Sequence, residues 1–323
     1  MTNNSSVNPY YFQFTTFADY GALKYLFFIL CLLFYMSIIC ANVGIITIVY
    51  QEKSLHQPMY IFICCLSVNA LYGSAAFFPR FLTDILSDTH WISRPSCFIQ
   101  MYFIYLCVLC DFKFISIMAY DRYIAICQPL YYHSKMTPGI VRGLIILTVT
   151  SSLFECLCSV FFVAHLTLCG YKLERTFCSN WSVVKLKCGN NYQYDHIVGQ
   201  VIIILLSTGI PFFVMYTYLR ILIVCMKSSR EFRWKAFETC LPHVTSFLAM
   251  IFSLYFEQSY SRNKPDNMNP TIEVFSSFVY VALPPIINPL IYGWKMPQIR
   301  AVIVVKSASC IRMLKVNMHI VSR

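Results

Sequence analysis

Long apolar runs recur along nearly the whole chain, separated by short polar stretches that carry most of the Lys and Arg. A helix that crosses a bilayer needs about 20 mostly apolar residues. Seven runs reach that length, at roughly 23–50, 58–86, 97–126, 140–165, 194–226, 239–260 and 271–293. The pattern predicts an all-α membrane protein: a seven-transmembrane helix bundle over 23–293, preceded by an extracellular segment 1–22 and followed by a cytoplasmic tail 294–323. Pro79, Pro211, Pro242, Pro284, Pro285 and Pro289 fall inside the runs. They are tolerable where neighbouring helices satisfy the freed backbone groups. Pro289 removes a helix hydrogen bond and is expected to kink the last span.

Composition supports the same class. The chain is 58% hydrophobic and 12% charged, whereas soluble domains carry about 25% charged residues. The net charge of +11 does not point to nucleic acid, because the basic residues lie in connections between apolar runs and form no solvated basic face. Their distribution sets orientation instead. The tail carries Lys295, Arg300, Lys306, Arg312, Lys315 and Arg323 with no acid, and the connection around Lys227, Arg230, Arg233 and Lys235 is also basic. Residues 1–22 contain no Lys or Arg. This places the N-terminus outside and the tail in the cytoplasm. Lys172, Arg175, Lys185 and Lys187 run against the bias, in a long outer loop. The N-terminus lacks the basic n-region of a cleavable signal peptide, so the first run is expected to act as an anchor.

Candidate chemistry is sparse. Asn3 and Asn4 head overlapping glycosylation sequons and Asn180 heads a third. Most of the 16 cysteines lie within spans, as small packed hydrophobes. Cys97, Cys169, Cys178 and Cys188 instead fall on the outer side, where disulfides persist. Four cysteines allow three pairings, and the residues alone do not choose. No histidine lies at ligand spacing near them, so no metal site is expected, and no motif implies a cofactor.

The motifs narrow the reading. Met118-Ala119-Tyr120-Asp121-Arg122-Tyr123-Ile124-Ala125-Ile126-Cys127 sets an adjacent acid and base at the inner end of span 3, where charges are costly unless paired. It resembles the MAYDRYxAIC signature of odorant receptors, a branch of the rhodopsin-like G-protein-coupled receptors. Leu55-His56-Gln57-Pro58-Met59-Tyr60 resembles the LHxPMY that opens span 2 in that family, and Pro285-Ile286-Ile287-Asn288-Pro289-Leu290-Ile291-Tyr292 resembles the PxxNPxxY that ends span 7. Lys235-Ala236-Phe237-Glu238-Thr239-Cys240-Leu241-Pro242-His243 resembles the KAFxTCxxH that separates the olfactory branch from its relatives. The resemblance covers about residues 40 to 300. Phe77-Phe78-Pro79-Arg80 and Ala70 look more like receptors of aquatic vertebrates.

This resemblance implies a receptor that binds a small-molecule odorant in the upper bundle and activates a heterotrimeric G protein of the stimulatory olfactory type, raising cAMP. It implies a multi-pass protein of the plasma membrane in contact with lipid, and no enzyme. It pairs Cys97 with Cys178 and Cys169 with Cys188. Asp121, Arg122, Tyr123, Tyr218, His243, Asn288, Pro289 and Tyr292 become the switch and coupling residues. The carried-over pocket is Tyr105, Val108, Leu109, Ile202, Leu206, Tyr255, Gln258 and Phe278, with Arg262 placed to clamp a carboxylate. Asn42, Asn69 and Asp111 become interior polar groups. The family's sodium site would keep Asp111 but lose its second carboxylate to Ala70, which counts against sodium binding. Ile104 stands where aminergic receptors hold their ammonium-binding acid. Two other classes compete: a non-olfactory rhodopsin-like receptor for a peptide or lipid, against which KAFxTC argues, and a seven-span transporter, for which paired acids or broken helices are missing. In the tail, Ile299, Val302 and Ile303 make an apolar stripe for a short membrane-surface helix after Pro297, with Cys310 as a palmitoylation candidate.

Overall fold

The computed structural model describes the backbone of residues 8–17, 21–189, 192–263, 270–296 and 298–302, with side chains undescribed at 190–208, 261–270 and 297. Among the described residues, six helices are long and apolar enough to cross a membrane. They are α1 (Leu23–Gln51), α2 (Pro58–Leu86), α3 (Arg94–Cys127), α4 (Pro138–Ala164), α5 (Tyr192–Met226) and α6 (Arg230–Asn263). The seventh span is a bent pair, α7 (Pro270–Val281) and α8 (Leu283–Lys295), meeting at 47°.

Local sequence sets the boundaries. Pro58, Pro95 and Pro138 sit in first turns, where a missing N–H costs nothing. Ser93 and Thr137 cap α3 and α4 by accepting from the N–H groups of Ser96 and Ile140. Two expectations need correction here. The sixth span starts at Arg230, not near 239, so Arg230, Arg233 and Lys235 are helical. Ser229 Oγ accepts from the Phe232 N–H and Lys235 pairs with Glu231 at 2.7 Å, which carries a solvated turn below the apolar run. The bend in the last span lies at Ala282, not at Pro289, which sits inside continuous α8. Pro284 and Pro285 remove two successive N–H groups and free the carbonyls one turn back. Asn42 of α1 bridges this region, its Nδ2 donating to the Pro285 carbonyl at 2.9 Å.

Burial separates the helices. Over their most apolar windows α2 and α3 are 56% and 61% buried, whereas α1 and α4 are 17% buried. The central helix α3 therefore packs on all sides, and α1 and α4 turn apolar faces outward. In α6 the inward stripe is Ala236, Cys240, His243, Ser246, Met250, Ser253 and Glu257, at steps of three and four. Leu248, Phe252 and Tyr255 face out. A helix whose polar side chains face its neighbours and whose apolar ones face away is what a bilayer selects.

A small sheet closes one end of the bundle. β1 (Tyr11–Phe14) lies between β2 (Trp91–Ser93, before α3) and β3 (Lys172–Leu173, after α4), antiparallel to the first and parallel to the second. Phe12 and Phe14 point inward and are fully buried, while Tyr11 and Gln13 alternate outward. Residues 11–14 are therefore part of the cap over the bundle.

Candidate functional site

The cap is held by two disulfides. Cys97 bonds Cys178 with Cα atoms 5.4 Å apart, and Cys169 bonds Cys188 at 5.0 Å. The first pins the loop after α4 to the start of α3. Gln100 reinforces it, accepting from the Cys178 N–H at 3.1 Å and donating to the Ala76 carbonyl at 3.3 Å. A capping box at Ser179 and Ser182 starts the short helix Asn180–Val184, which lies under the cap. Asn180 donates through its side chain to Ser159 Oγ at 2.9 Å and through its backbone to the Tyr105 hydroxyl at 3.1 Å. That sequon therefore turns inward, unlike a glycosylation acceptor; Asn3 and Asn4 lie outside the described residues.

Below the cap, the expected pocket residues divide. Phe278 packs among Phe34, Phe77, Phe78 and Phe81. Val108 lines a small cavity with Asp111, Met250, Ser253, Leu254, Tyr280 and Pro284. Leu109 packs against the central apolar core. Tyr255 and Gln258 do not face the interior: Tyr255 is 73% exposed and Gln258 is exposed. Glu257, between them in phase, faces in instead. The expected phase was wrong because the inward stripe runs through 250, 253 and 257. The side chains of Ile202, Leu206 and Arg262 lie outside the described residues.

The charged groups that sequence reasoning passed over stand at this level. Arg175 of the cap loop reaches between α6 and α7 and is 4% exposed. It pairs with Glu257 through a short charge-assisted bond and with Glu273 at 2.9 Å, and its Nη1 reaches Ser276 Oγ at 3.5 Å. Burial pushes the guanidinium down, but the two carboxylates more than offset this and hold it above its ordinary value. The available signal was the presence of two acids near the outer ends of spans 6 and 7, opposite a loop arginine that ran against the charge bias.

Two further polar groups lie at mid-depth. Asn69 of α2 donates to the Asp111 carboxylate of α3 at 2.7 Å and to the Cys107 carbonyl at 2.7 Å; Tyr72 donates to Asn69 in turn. Lys113, on another face of α3, pairs with Glu155 of α4 at 2.8 Å and with Ser151 at 2.9 Å.

At the far end of α3, Asp121 is fully buried and pairs with its neighbour Arg122. The Tyr132 hydroxyl donates to its other oxygen at 2.9 Å. Tyr123 accepts a long 3.4 Å bond from Gln128. Around this pair lie the Tyr218 hydroxyl and both ring nitrogens of His243, buried with no hydrogen-bond partner among the described residues, and the Ser246 and Tyr292 hydroxyls, which lie near each other. The His243 and Tyr292 rings lie 5.4 Å apart, and Asn288 is buried one turn before Tyr292. Beyond α8, Ile299 is fully buried against the core and Val302 packs beside it. Ile303 and Cys310 lie outside the described residues.

The comparisons join these features to known proteins. A structure of squid rhodopsin superposes with a TM-score of 0.70 over 90% of this chain and 87% of its own, at 15% identity, which speaks to the fold. Mouse olfactory receptor 5M5 is 32% identical over 87% of this chain and 88% of its own length, and human olfactory receptor 6B2 is 32% identical over 84% and 86%. The olfactory receptor family model matches residues 30–309. The family model and the relatives thus settle the family, and the chain belongs to the olfactory receptor family, membrane-spanning signalling receptors that are not enzymes.

Proposed function

We propose that this receptor binds a small odorant beneath the cap and passes the signal through Arg122 to a stimulatory G protein that raises cAMP. The observation that carries this reading is the arrangement at the inner end of α3. Arg122 is mostly buried, and its one ion-pair partner among the described residues is Asp121, with Tyr132 on the other carboxylate oxygen. Nearby stand hydroxyls and a histidine without good protein partners. A buried polar group left unpaired costs about 1–3 kcal/mol, so these groups favour an arrangement that supplies partners. Displacement of α6 would free Arg122 to meet Tyr218, Tyr292 or the tail of a G protein. Ligand shifts that balance only by its differential affinity for the two states.

The receptor is proposed to lie in the plasma membrane with its N-terminus and cap outside, glycosylated at Asn3 or Asn4. The excess of basic residues on the opposite side supports this orientation. Lipid contact is supported by an apolar groove of about 510 Å³ opening outward between α1, α2, α3 and α4. The test is cAMP in transfected cells, read against a panel of amines, short carboxylates, amino acids and volatile alcohols. An epitope at the N-terminus, stained before permeabilisation, checks the topology. No cAMP rise with any member at normal surface expression, while a chimaeric G protein of another class responds, would overturn the stimulatory assignment.

A further inference from the structure

The groove on the lipid-facing side of the bundle is apolar along its length and basic at its mouth. Ile46 and Val49 of α1, Ile61 and Val68 of α2, and Ile145 and Val149 of α4 line a space of about 510 Å³. Left empty, such a space forfeits the contacts of its lining, and water finds too few polar partners there. A bilayer component fills it instead. Both Ile61 and Tyr72 line the groove, and the eleven steps between them span roughly 16 Å at about 1.5 Å each. That is about half of a hydrocarbon core some 30 Å thick, the depth of one leaflet. At the deep end Asn69 donates to Asp111 at 2.7 Å and Tyr72 donates to Asn69, so the polar groups there are already engaged with one another. The mouth lies where α1 ends and α2 and α4 begin, beside Tyr50 and His56. Arg142 stands three and seven positions before Ile145 and Val149, on the same face of α4. Lys53 follows just past the end of α1, and both basic side chains are exposed. Across residues 50–57 and 133–142, Glu52 is the one acid against Lys53, Lys135 and Arg142.

We infer that the groove seats one anionic diacyl phospholipid, of the phosphatidylserine kind, with an acyl chain along α2 and its phosphate at the mouth between Arg142 and Lys53. Depth selects the chain, because the groove is one leaflet long and its deep polar groups are already bonded. Charge selects the head, because each Lys or Arg near the surface favours an anionic lipid by about fivefold. The inference rests on the membrane orientation proposed above, which sets this mouth in the cytoplasmic leaflet, where anionic lipids concentrate. It adds the class of lipid and its seat. A lipid held there bridges α1 and α4, the two helices with the most outward-turned apolar faces, through the well-packed α2.

The test uses the full-length receptor in nanodiscs of phosphatidylcholine alone or mixed with phosphatidylserine or with a sterol, without odorant or G protein. Lipid retained after extraction into mild detergent is read by native mass spectrometry, beside the thermal midpoint. One phosphatidylserine should stay bound in preference to phosphatidylcholine and should raise the midpoint, while soluble glycerophosphoserine, which has no chains, should not. Arg142→Gln and Lys53→Gln should each lower the preference for phosphatidylserine over phosphatidylcholine by about fivefold. Val68 is half-exposed and lines the groove, so Val68→Trp fills the space without entering the packed core and should abolish retention of either lipid. Equal retention of the two phospholipids would overturn the inference, as would retention of the sterol in their place. Phosphatidylserine held unchanged by Val68→Trp and by Arg142→Gln would place it elsewhere on the surface and overturn it too. The epitope staining described above reads orientation separately, and an N-terminus on the inner side would move the site to the other leaflet and overturn the cytoplasmic assignment. The absence of a cAMP response leaves the lipid measurement standing, because retention is read without coupling.

Discussion

The two ends of the bundle solve the problem of buried polarity in opposite ways. At the end proposed to lie outside, the outer end, the polar and reactive groups are tied together: two disulfides, a three-stranded sheet, and Arg175 between two carboxylates. At the inner end the covalent links are absent among the described residues. One ion pair between sequence neighbours stands amid neutral groups that lack good protein partners. At the outer end, removing one partner leaves the other buried and uncompensated, whereas at the inner end neutral groups stand close enough to offer Arg122 and Tyr132 other partners. A lid that must hold its shape over a ligand calls for the first, and a switch that must change partners calls for the second.

The largest expected effect breaks the inner end. Arg122→Ala should abolish agonist-driven cAMP while ligand affinity measured without G protein stays nearly intact. Loss of affinity at normal surface expression would show that the two ends do not divide the labour in this way.

The next effect breaks the outer end. Cys97→Ser opens a bond spanning 81 residues, and Cys169→Ser one spanning 19. The chain-entropy relation gives about 4–5 kcal/mol for the first and about 3 kcal/mol for the second. Surface expression and thermal midpoint should therefore fall further for Cys97→Ser. Equal falls would mean that strain or cap packing, not loop length, sets the contribution.

Between the two ends, Gly73 of α2 packs against Cys107 of α3. A methyl group there would overlap the Cys107 sulfur and lie 2.7 Å from its Cβ. Turning the sulfur away would leave the Cβ, which the backbone fixes, so Gly73→Ala should cost about 1–3 kcal/mol. Cys107→Ala in the same molecule should recover part of the loss. No recovery, as read by the thermal midpoint, would place the strain elsewhere.

The smallest effect sharpens the comparison through its sign. His243 is fully buried with both ring nitrogens unpartnered. Replacing an unsatisfied buried group with an apolar one of similar shape is neutral or stabilising. His243→Leu should thus stabilise the resting receptor by up to about 1 kcal/mol, read as a higher thermal midpoint, while weakening the agonist response. The matching change outside, Glu273→Leu, should lower it, because it strips Arg175 of a partner. A His243→Leu variant that is clearly less stable would show that the ring is already satisfied.

Some of this was legible in the chain. Seven apolar runs gave the spans to within a few residues at most ends, because lipid enforces length directly. The acid–base pair at Asp121 and Arg122 and the four outer cysteines were legible because their chemistry is local to a motif or to one side of the membrane. Tertiary structure alone decided the rest. Phe12 and Phe14 alternate with polar neighbours, yet four residues cannot form a sheet until loops from two other connections arrive beside them. Which side of α6 faces inward was a matter of phase, and a shift of one residue exchanges Gln258 for Glu257. The bend lay at Ala282, just before Pro284 and Pro285, and not at Pro289, because two successive prolines remove two N–H groups where Pro289 removes one. Arg175 met Glu257 and Glu273 across 82 and 98 positions, and neither local pattern nor composition encodes a contact at that separation. A sequence fixes where polarity must be hidden from lipid; only packing of the helices decides which groups hide together.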